Sequence, residues 1–195
     1  MKRVIDVLAS GCGLLFLSPL FIILAIWIKC DSKGPIFYRQ VRVGKGGKDF
    51  RIFKFRSMVQ DADKSSLITV GSRDHRVTHS GYYIRKYKLD ELAQLINVFV
   101  GDMSLVGPRP EVRKYVDMYG EEQRKILSVR PGVTDYASIE FMDENILLEK
   151  SSDPDKTYIE EIMPAKIEMN MRYISNPTLY EYFKIIFLTL MKIVK

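Results

Sequence analysis

Asp90 and Glu91 stand together near the start of a helical repeat, and Arg109 follows further along, between Pro108 and Pro110. Arg85, Lys86 and Lys88 precede the acidic pair, and Arg130 precedes Pro131-Gly132. This grouping suits chemistry on a phosphate. Proline fixes φ and lowers the entropy cost of presenting a guanidinium, and a guanidinium binds phosphate oxygens as a bidentate fork. A carboxylate among cations stays ionised at neutral pH, as a nucleophile must, while the same cations shield an incoming pyrophosphate. Mg²⁺ takes one or two carboxylates plus substrate phosphates, and Asp90 and Glu91 could supply such a pair. Without those neighbours, the two acids would do no more than complement a helix macrodipole.

The elements that must position these groups are legible in the periodicity. Leu89, Leu92, Leu95, Ile96 and Phe99 recur at three-to-four spacing, which predicts a helix burying that face and leaving Asp90, Gln94 and Asn97 on the opposite polar stripe. Residues 36–43 and 50–56 are rich in aromatic and β-branched side chains and flank the glycine-rich segment 44–47, which predicts a β-hairpin. In its second strand Lys54 and Arg56 alternate with Phe53 and Phe55, so cations line one face and rings the other. Taken alone, those cations read equally well as solvated strand charges. A polar connector, residues 61–79, joins hairpin to helix; its His75 and His79 stand four apart without a third ligand and read as solvated or hydrogen-bonded.

Residues 7–28 contain no charged side chain, and a straight helix of that length would reach roughly 33 Å, enough to cross a bilayer. Ser18-Pro19 interrupts it near the centre. Proline removes the hydrogen bond to the carbonyl of Leu15, and the Ser18 hydroxyl is placed to help rearrange the local bonding. Each half is too short to cross alone. Lys2 and Arg3 precede the segment and Lys29 and Lys33 follow it, whereas a span concentrates positive charge on one side. A spanning helix and a helix–break–helix hairpin dipping into one leaflet both stand at this point. A cleaved signal peptide does not fit, because small residues are missing after the apolar run. Residues 179–195 form a second apolar stripe (Leu179, Phe183, Ile186, Leu190, Ile193) with lysines elsewhere, suited to a helix lying in the headgroup interface or packed on the globular body.

Composition narrows the classes. The 195 residues carry a net charge of +6 and 47% hydrophobic residues, which fits one folded domain plus an anchor. The basicity is regional: residues 1–60 hold eleven Lys/Arg against three Asp, or +8. Such a patch faces lipid headgroups, a phosphorylated ligand or nucleic acid, and no DNA or RNA recognition motif accompanies it. Residues 140–161 carry eight acids against two lysines and read as a solvated face. Cys12 and Cys30, beside or within the apolar segment, suggest neither a disulfide framework nor a zinc site.

The order Leu-Asp-Glu-Leu-x-Gln-Leu (Leu89–Leu95), then Gly-Asp-Met-Ser-Leu-Val-Gly-Pro-Arg-Pro (Gly101–Pro110), closely resembles the signature of the bacterial sugar transferases, the small monotopic polyprenyl-phosphate phosphoglycosyl transferases. Ser18-Pro19, Phe53-Lys-Phe-Arg-Ser-Met58, Arg76-Val-Thr78, Gly81, Ile84-Arg85 and Val129-Arg-Pro-Gly-Val-Thr134 extend the likeness over nearly the whole chain. The resemblance implies an α+β fold: a helix-dominated single domain with a β-hairpin, an N-terminal re-entrant membrane helix (1–33, broken at Ser18-Pro19) and a cytosolic catalytic domain (34–195) ending in an interfacial amphipathic helix. It implies transfer of a sugar-1-phosphate from a UDP-sugar to polyprenyl (undecaprenyl) phosphate with release of UMP, at the cytoplasmic face of the inner membrane, the first membrane step of glycoconjugate assembly. Asp90 would be the nucleophile, Glu91 would assist by holding Mg²⁺ or handling a proton, and Lys54, Arg85, Arg109 and Arg130 would hold phosphates. Membrane lipids would be partners, nucleic acid would not, and a homodimer is left open.

The chain departs from the pattern in places. Asp135-Tyr-Ala-Ser-Ile-Glu-Phe-Met142 replaces the usual Gly-Trp-Ala-Gln-Val-Asn-Gly-Arg, which bears on sugar or nucleotide contacts and leaves the nucleophile motif complete. Lys88 stands for a serine or threonine, Ala93 for a proline, and Asn170 and Tyr182 for aspartates often found there. The reading from another class is a non-catalytic membrane-anchored adaptor that binds anionic lipid or nucleotide through its basic third.

Overall fold

The computed structural model describes residues 1–62 and 74–194, so residues 63–73 of the polar connector lie outside the described residues. In chain order the elements are α1 (Lys2–Phe16), α2 (Ser18–Asp31), β1 (Phe37–Val43), β2 (Asp49–Phe55), α3 (His79–Lys86), a 3₁₀ turn (Leu89–Ala93), α4 (Gln94–Val100), β3 (Ser104–Val106), α5 (Arg113–Val116), α6 (Glu121–Arg124), β4 (Gly132–Thr134), α7 (Tyr136–Glu140), α8 (Glu144–Glu149), α9 (Pro154–Thr157), a π turn (Tyr158–Ile162), α10 (Met163–Ser175) and α11 (Leu179–Val194). The fold is helix-dominated, with two small two-stranded sheets among the described residues.

The apolar N-terminal segment breaks where proline dictates. α1 and α2 meet at an angle of 61°, and Ser18 Oγ donates to the Leu15 carbonyl at 2.8 Å, occupying the acceptor that Pro19 cannot serve. No single described helix is long and apolar enough to cross a membrane. Both ends of the bent pair are tied to the same body. Near its start, Lys2 Nζ donates to Tyr173 Oη and Arg3 donates to the carbonyls of Val98 and Phe99. Asp6, 2% exposed, accepts from Ser104 Oγ, the Leu105 N–H (2.9 Å) and Tyr182 Oη (2.6 Å). At its end, Arg56 donates to the carbonyls of Ile28, Ser32 and Lys33, and so caps α2. Asp31 accepts from the Ser80 N–H and hydroxyl at the start of α3.

The hairpin forms as the sequence predicts, antiparallel with Phe37 opposite Phe55 and Val43 opposite Asp49. Its aromatic face packs under α2, where Phe21 meets Phe55 edge-on with ring centroids 5.0 Å apart. The helix after the acidic pair corrects the expectation. Asp90, Gln94 and Asn97 are buried, while Phe99 and Val100 stand 47% and 62% exposed and Leu92, Leu95 and Ile96 are half-buried. Asn97 explains the inversion. Its Oδ1 accepts from the Phe53 N–H at 2.8 Å and its Nδ2 donates to the Arg51 carbonyl at 2.9 Å, so one amide side chain serves the edge of β2 as a neighbouring strand would. The apolar side of α4 instead lies partly against α1, where Leu95 and Phe99 approach Gly13 and Gly11.

The C-terminal helix buries Tyr182 and Ile185 and leaves Phe183, Phe187, Leu190, Met191 and Ile193 about half exposed. The stripe read from the sequence is thus largely turned outward. The acids of residues 140–161 are exposed except Glu144, which pairs with Lys166.

Asp6→Ala would leave the Leu105 N–H and the Tyr182 hydroxyl buried without their acceptor. It is expected to destabilise the fold by roughly 2–4 kcal/mol, and Tyr182→Phe by about 1 kcal/mol. Chemical denaturation of detergent-solubilised protein would measure both.

Candidate active site

Arg109 is held by everything around it. β3 and β4 pair in parallel, Ser104 with Gly132 and Val106 with Thr134. Beyond the strands, the Gly107 N–H donates to the Thr134 carbonyl (3.0 Å) and the Gly132 N–H to the Pro108 carbonyl (2.9 Å). The two backbones approach so closely that a methyl on Gly132 would overlap the amide and carbonyl of Gly107. The Arg109 N–H donates to Asp135 Oδ2 at 2.9 Å, and Arg42 donates to the Pro110 carbonyl at 3.0 Å. With proline on either side, the backbone that carries this guanidinium has almost no freedom left.

The guanidinium reaches Glu91. Nη1 donates to Oε2 at 2.8 Å and Nη2 to Oε1 at 2.5 Å, a two-point fork, while Nη1 also reaches the Val133 carbonyl at 3.2 Å. Lys54 Nζ lies 3.8 Å from Glu91 Oε1. Among the described residues three of the five guanidinium N–H groups are thereby used and two have no partner. Asp90 differs from its neighbour. It is 7% exposed and makes no hydrogen bond or ion pair among the described residues. Lys88 takes φ 54° and ψ 23°, a left-handed conformation uncommon outside glycine, and so turns the chain into the 3₁₀ turn that carries the acidic pair.

The two carboxyls are pushed apart electrostatically. Burial, and then the Glu91 charge beside it, raise Asp90 above the usual carboxylate range, with Lys54, Arg85 and Arg109 pulling the other way. The same burial acts on Glu91, but Arg109 and Lys54 outweigh it and hold that carboxyl down to about 2. Burial likewise lowers Lys54, partly offset by Glu91. Glu91 is therefore the fixed counter-ion, and Asp90 is the more basic carboxylate with its oxygens uncommitted.

Both open on a cavity of about 720 Å³ that Lys54, Arg85, Lys88 and Arg109 also line, a size typical of small-molecule sites. The structure therefore gathers Asp90, Glu91, Lys54, Arg85 and Arg109 around one cavity. Arg130 stands apart from this set: it is exposed, is not among the residues that line the cavity, and donates Nε to the Gly101 carbonyl at 3.0 Å. Its place in the motif is explained by Pro131 and Gly132, whose backbone pairs with β3 and positions Arg109. Sequence reasoning missed Asp135, Ser138 and Asn170, which line the same cavity; the departures from the family pattern at these positions were their one signal.

A family model described as bacterial sugar transferase matches residues 1–195. The chain belongs to that family. Among curated members it is similar to a UDP-N-acetylgalactosamine-undecaprenyl-phosphate N-acetylgalactosaminephosphotransferase of Aeromonas hydrophila (40% identical, covering 97% of this chain and 43% of that protein). It is also similar to UDP-glucose:undecaprenyl-phosphate glucose-1-phosphate transferases of Klebsiella pneumoniae (36%, covering 98% and 39%) and Caulobacter vibrioides (35%, covering 96% and 67%). The chain thus spans about two fifths of the length of the first two sugar transferases and about two thirds of the third.

As for a metal, no group of three or more His, Cys, Asp or Glu suited to an ion occurs among the described residues, so an all-protein cage is not built. The adjacent carboxylates, one without a partner, match instead the one or two protein ligands that Mg²⁺ takes when phosphates and water complete its shell.

The opposite shifts predict opposite variants. A raised folded-state pKa means that ionised Asp90 opposes folding at neutral pH, so Asp90→Asn is expected to raise the melting temperature. Glu91, depressed from its ordinary value to about 2, contributes stability above its unfolded pKa that is lost as pH falls towards 2. Glu91→Gln, which removes the counter-ion of Arg109 and Lys54, is expected to cost roughly 1–2 kcal/mol at pH 7, allowing for its partial exposure. Thermal melts of the two variants at neutral pH would test the signs.

Proposed function

We propose that this chain moves a sugar-1-phosphate from a UDP-sugar to undecaprenyl phosphate, releasing UMP, through a covalent phosphosugar–aspartate. One observation carries the reading: a basic, unpartnered carboxylate at Asp90 faces a cavity lined by Lys54, Arg85 and Arg109. An Asp90 oxygen attacks the phosphorus that bears the sugar, and the bond from that phosphorus to the bridging oxygen breaks. UMP leaves with that oxygen, and the sugar phosphate stays on Asp90. A phosphate oxygen of the lipid then attacks the same phosphorus, the acyl-phosphate bond breaks, and Asp90 is regenerated as a carboxylate beside a lipid diphosphosugar. Glu91 keeps Arg109 aimed, and the two free N–H groups of Arg109, with Lys54 and Arg85, bind the non-bridging oxygens whose charge grows in each step. Asp90 and Glu91 would hold Mg²⁺, which would supply further neutralisation of phosphate charge.

The relatives named above act with undecaprenyl phosphate, so the acceptor headgroup is found at a membrane surface. The bent α1–α2 pair suits such a surface as a re-entrant anchor. Its outer face is apolar, with Leu8, Leu15, Phe16, Ile22, Ile23 and Ile26 all at least 60% exposed. Both its ends are fastened to one body, which supports a return to the side it leaves, and in this proposal that side is the cytoplasmic face, from which the nucleotide donor arrives. The outward apolar stripe of α11 fits a helix lying in the same interface. Membrane lipid is a partner in this reading.

With undecaprenyl phosphate and a panel of UDP-sugars, UMP release is expected for at least one donor and a loss of at least roughly a thousandfold for Asp90→Asn, on the scale of removing a covalent nucleophile. Full tolerance of that substitution would favour the adaptor reading. Mass spectrometry of protein mixed with the donor alone is expected to find the sugar phosphate on Asp90. For topology, cysteine labelling near residues 2 and 33 is expected to report accessibility from the same side; opposite sides would exclude the re-entrant anchor.

A further inference from the structure

α11 packs on the body along one stripe and then runs past it. Tyr182, Ile185, Thr189 and Ile193 fall on one face of this helix, at spacings of three, four and four residues. The first two are fully buried, Thr189 is half-buried, and Ile193 is 49% exposed. Thr189 and Ile193 line the cavity that Asp90 also lines, so in its last turns this face of α11 meets the cavity and not protein. A side chain that lines a cavity while half exposed stands at its rim. An isoleucine in that position leaves apolar surface for a ligand to cover.

Two leucines belong to the same apolar lining. Leu92 and Leu95 line the cavity and are half-buried, and Leu92 lies two residues beyond Asp90 in the 3₁₀ turn. Leu95 also reaches α1, where a methyl on Gly13 would stand 3.2 Å from its Cδ1. The lining is therefore joined to both helices whose outer faces are apolar: to α1 through Leu95, and to α11 through Ile193, near the exposed Leu190 and Met191. It is joined to the chemistry as well. The hydroxyls of Thr189 and Thr134 are hydrogen-bonded at 2.7 Å, and Arg109 Nη1 donates to the carbonyl of Val133, the residue before Thr134. One cavity thus carries the cations Lys54, Arg85 and Arg109 together with an apolar lining that continues to apolar outer surface. Its complement is an amphiphile in which a phosphate is joined to a hydrocarbon chain.

We infer that Leu92, Leu95 and Ile193 form the subsite for the first isoprene units of the acceptor lipid, whose phosphate then lies among Lys54, Arg85 and Arg109. The inference rests on the transferase reading and assigns that reaction its acceptor-binding residues. A phospholipid shares the phosphate and the apolar chains, but its chains begin beyond a glycerol and two esters, whereas in a polyprenyl phosphate hydrocarbon begins at the phosphate oxygen. Leu92, two residues from the nucleophile, favours the second. Because the donor alone loads Asp90, this subsite acts only in the second step.

The test follows UMP release by full-length protein in detergent micelles, comparing it with Ile193→Ser. Should that variant lose its melting transition, Ile193→Ala takes its place. With the UDP-sugar alone, the single burst of UMP that accompanies loading of Asp90 is expected to be unchanged. With saturating donor, KM for undecaprenyl phosphate is expected to rise roughly three- to tenfold, the effect of losing part of one buried isoleucine side chain. Farnesyl phosphate, with three isoprene units, is expected to compete with undecaprenyl phosphate, and its inhibition constant to rise by a similar factor in the variant. An unchanged acceptor KM, a burst weakened as much as turnover, or failure of farnesyl phosphate to compete overturns the subsite and leaves the transferase reading standing. So does a rise for undecaprenyl phosphate with farnesyl phosphate inhibition unchanged, since α11 would then only hold the protein at the micelle surface. Competition by dioleoyl phosphatidic acid as strong as that by farnesyl phosphate would assign the lining to phospholipid instead. Absence of UMP release by the unaltered protein with every UDP-sugar of the panel, with or without lipid, overturns the transferase reading itself, and the subsite with it.

Discussion

Two adjacent carboxylates at the edge of a cavity repel each other, and the fold answers by giving one of them a fixed partner. The Arg109 fork on Glu91 is that answer. Because Glu91 is neutralised in place, Asp90 is left with no hydrogen bond, a raised affinity for protons, and its oxygens towards the space a ligand would fill. Pairing Arg109 with Asp90 instead would have produced an ordinary ion pair and left no uncommitted carboxylate at the cavity.

Much of the remaining architecture fixes that fork. The glycine-to-glycine contact between residues 107 and 132, the parallel β3–β4 ladder, the flanking prolines, the bond to Asp135 and the tether from Arg42 immobilise the backbone around residue 109. The hairpin delivers Lys54 to the same carboxylate, and its edge is satisfied by the Asn97 side chain one helical face beyond Asp90. Backbone position is thus set by hydrogen bonds that admit little slack, and charge follows backbone.

The bent α1–α2 pair and α11 are coupled to this frame through polar bonds and not through apolar packing alone. Asp6 inside α1 gathers donors from β3 and α11, and Arg56 and Asp31 lock the end of α2 to the hairpin and α3. Such bonds are directional, so the bent pair is held at a defined attitude while its outer face remains apolar. Tyr182 of α11 donates to Asp6, and Asn170 of α10 donates to Asp135. At both positions, this chain meets a carboxylate from elsewhere in the fold.

Sequence alone determined whatever depends on local geometry: the break at Ser18-Pro19 with its hydroxyl on the Leu15 carbonyl, the hairpin over residues 36–56, and the rigid, proline-flanked setting of Arg109. Its motifs were also enough to gather Lys54, Arg85 and Arg109 with the acidic pair. Tertiary structure decided what depends on partners distant in the chain. The polar stripe of α4 turned inward because a strand edge needed Asn97, Arg130 was left at the surface because its neighbours' backbone was what β3 required, and residues 135, 138 and 170 met only once α7 and α10 had packed. Three-residue strands leave no periodicity to read, and bonds between residues distant in the chain have no signature until the elements that carry them have packed.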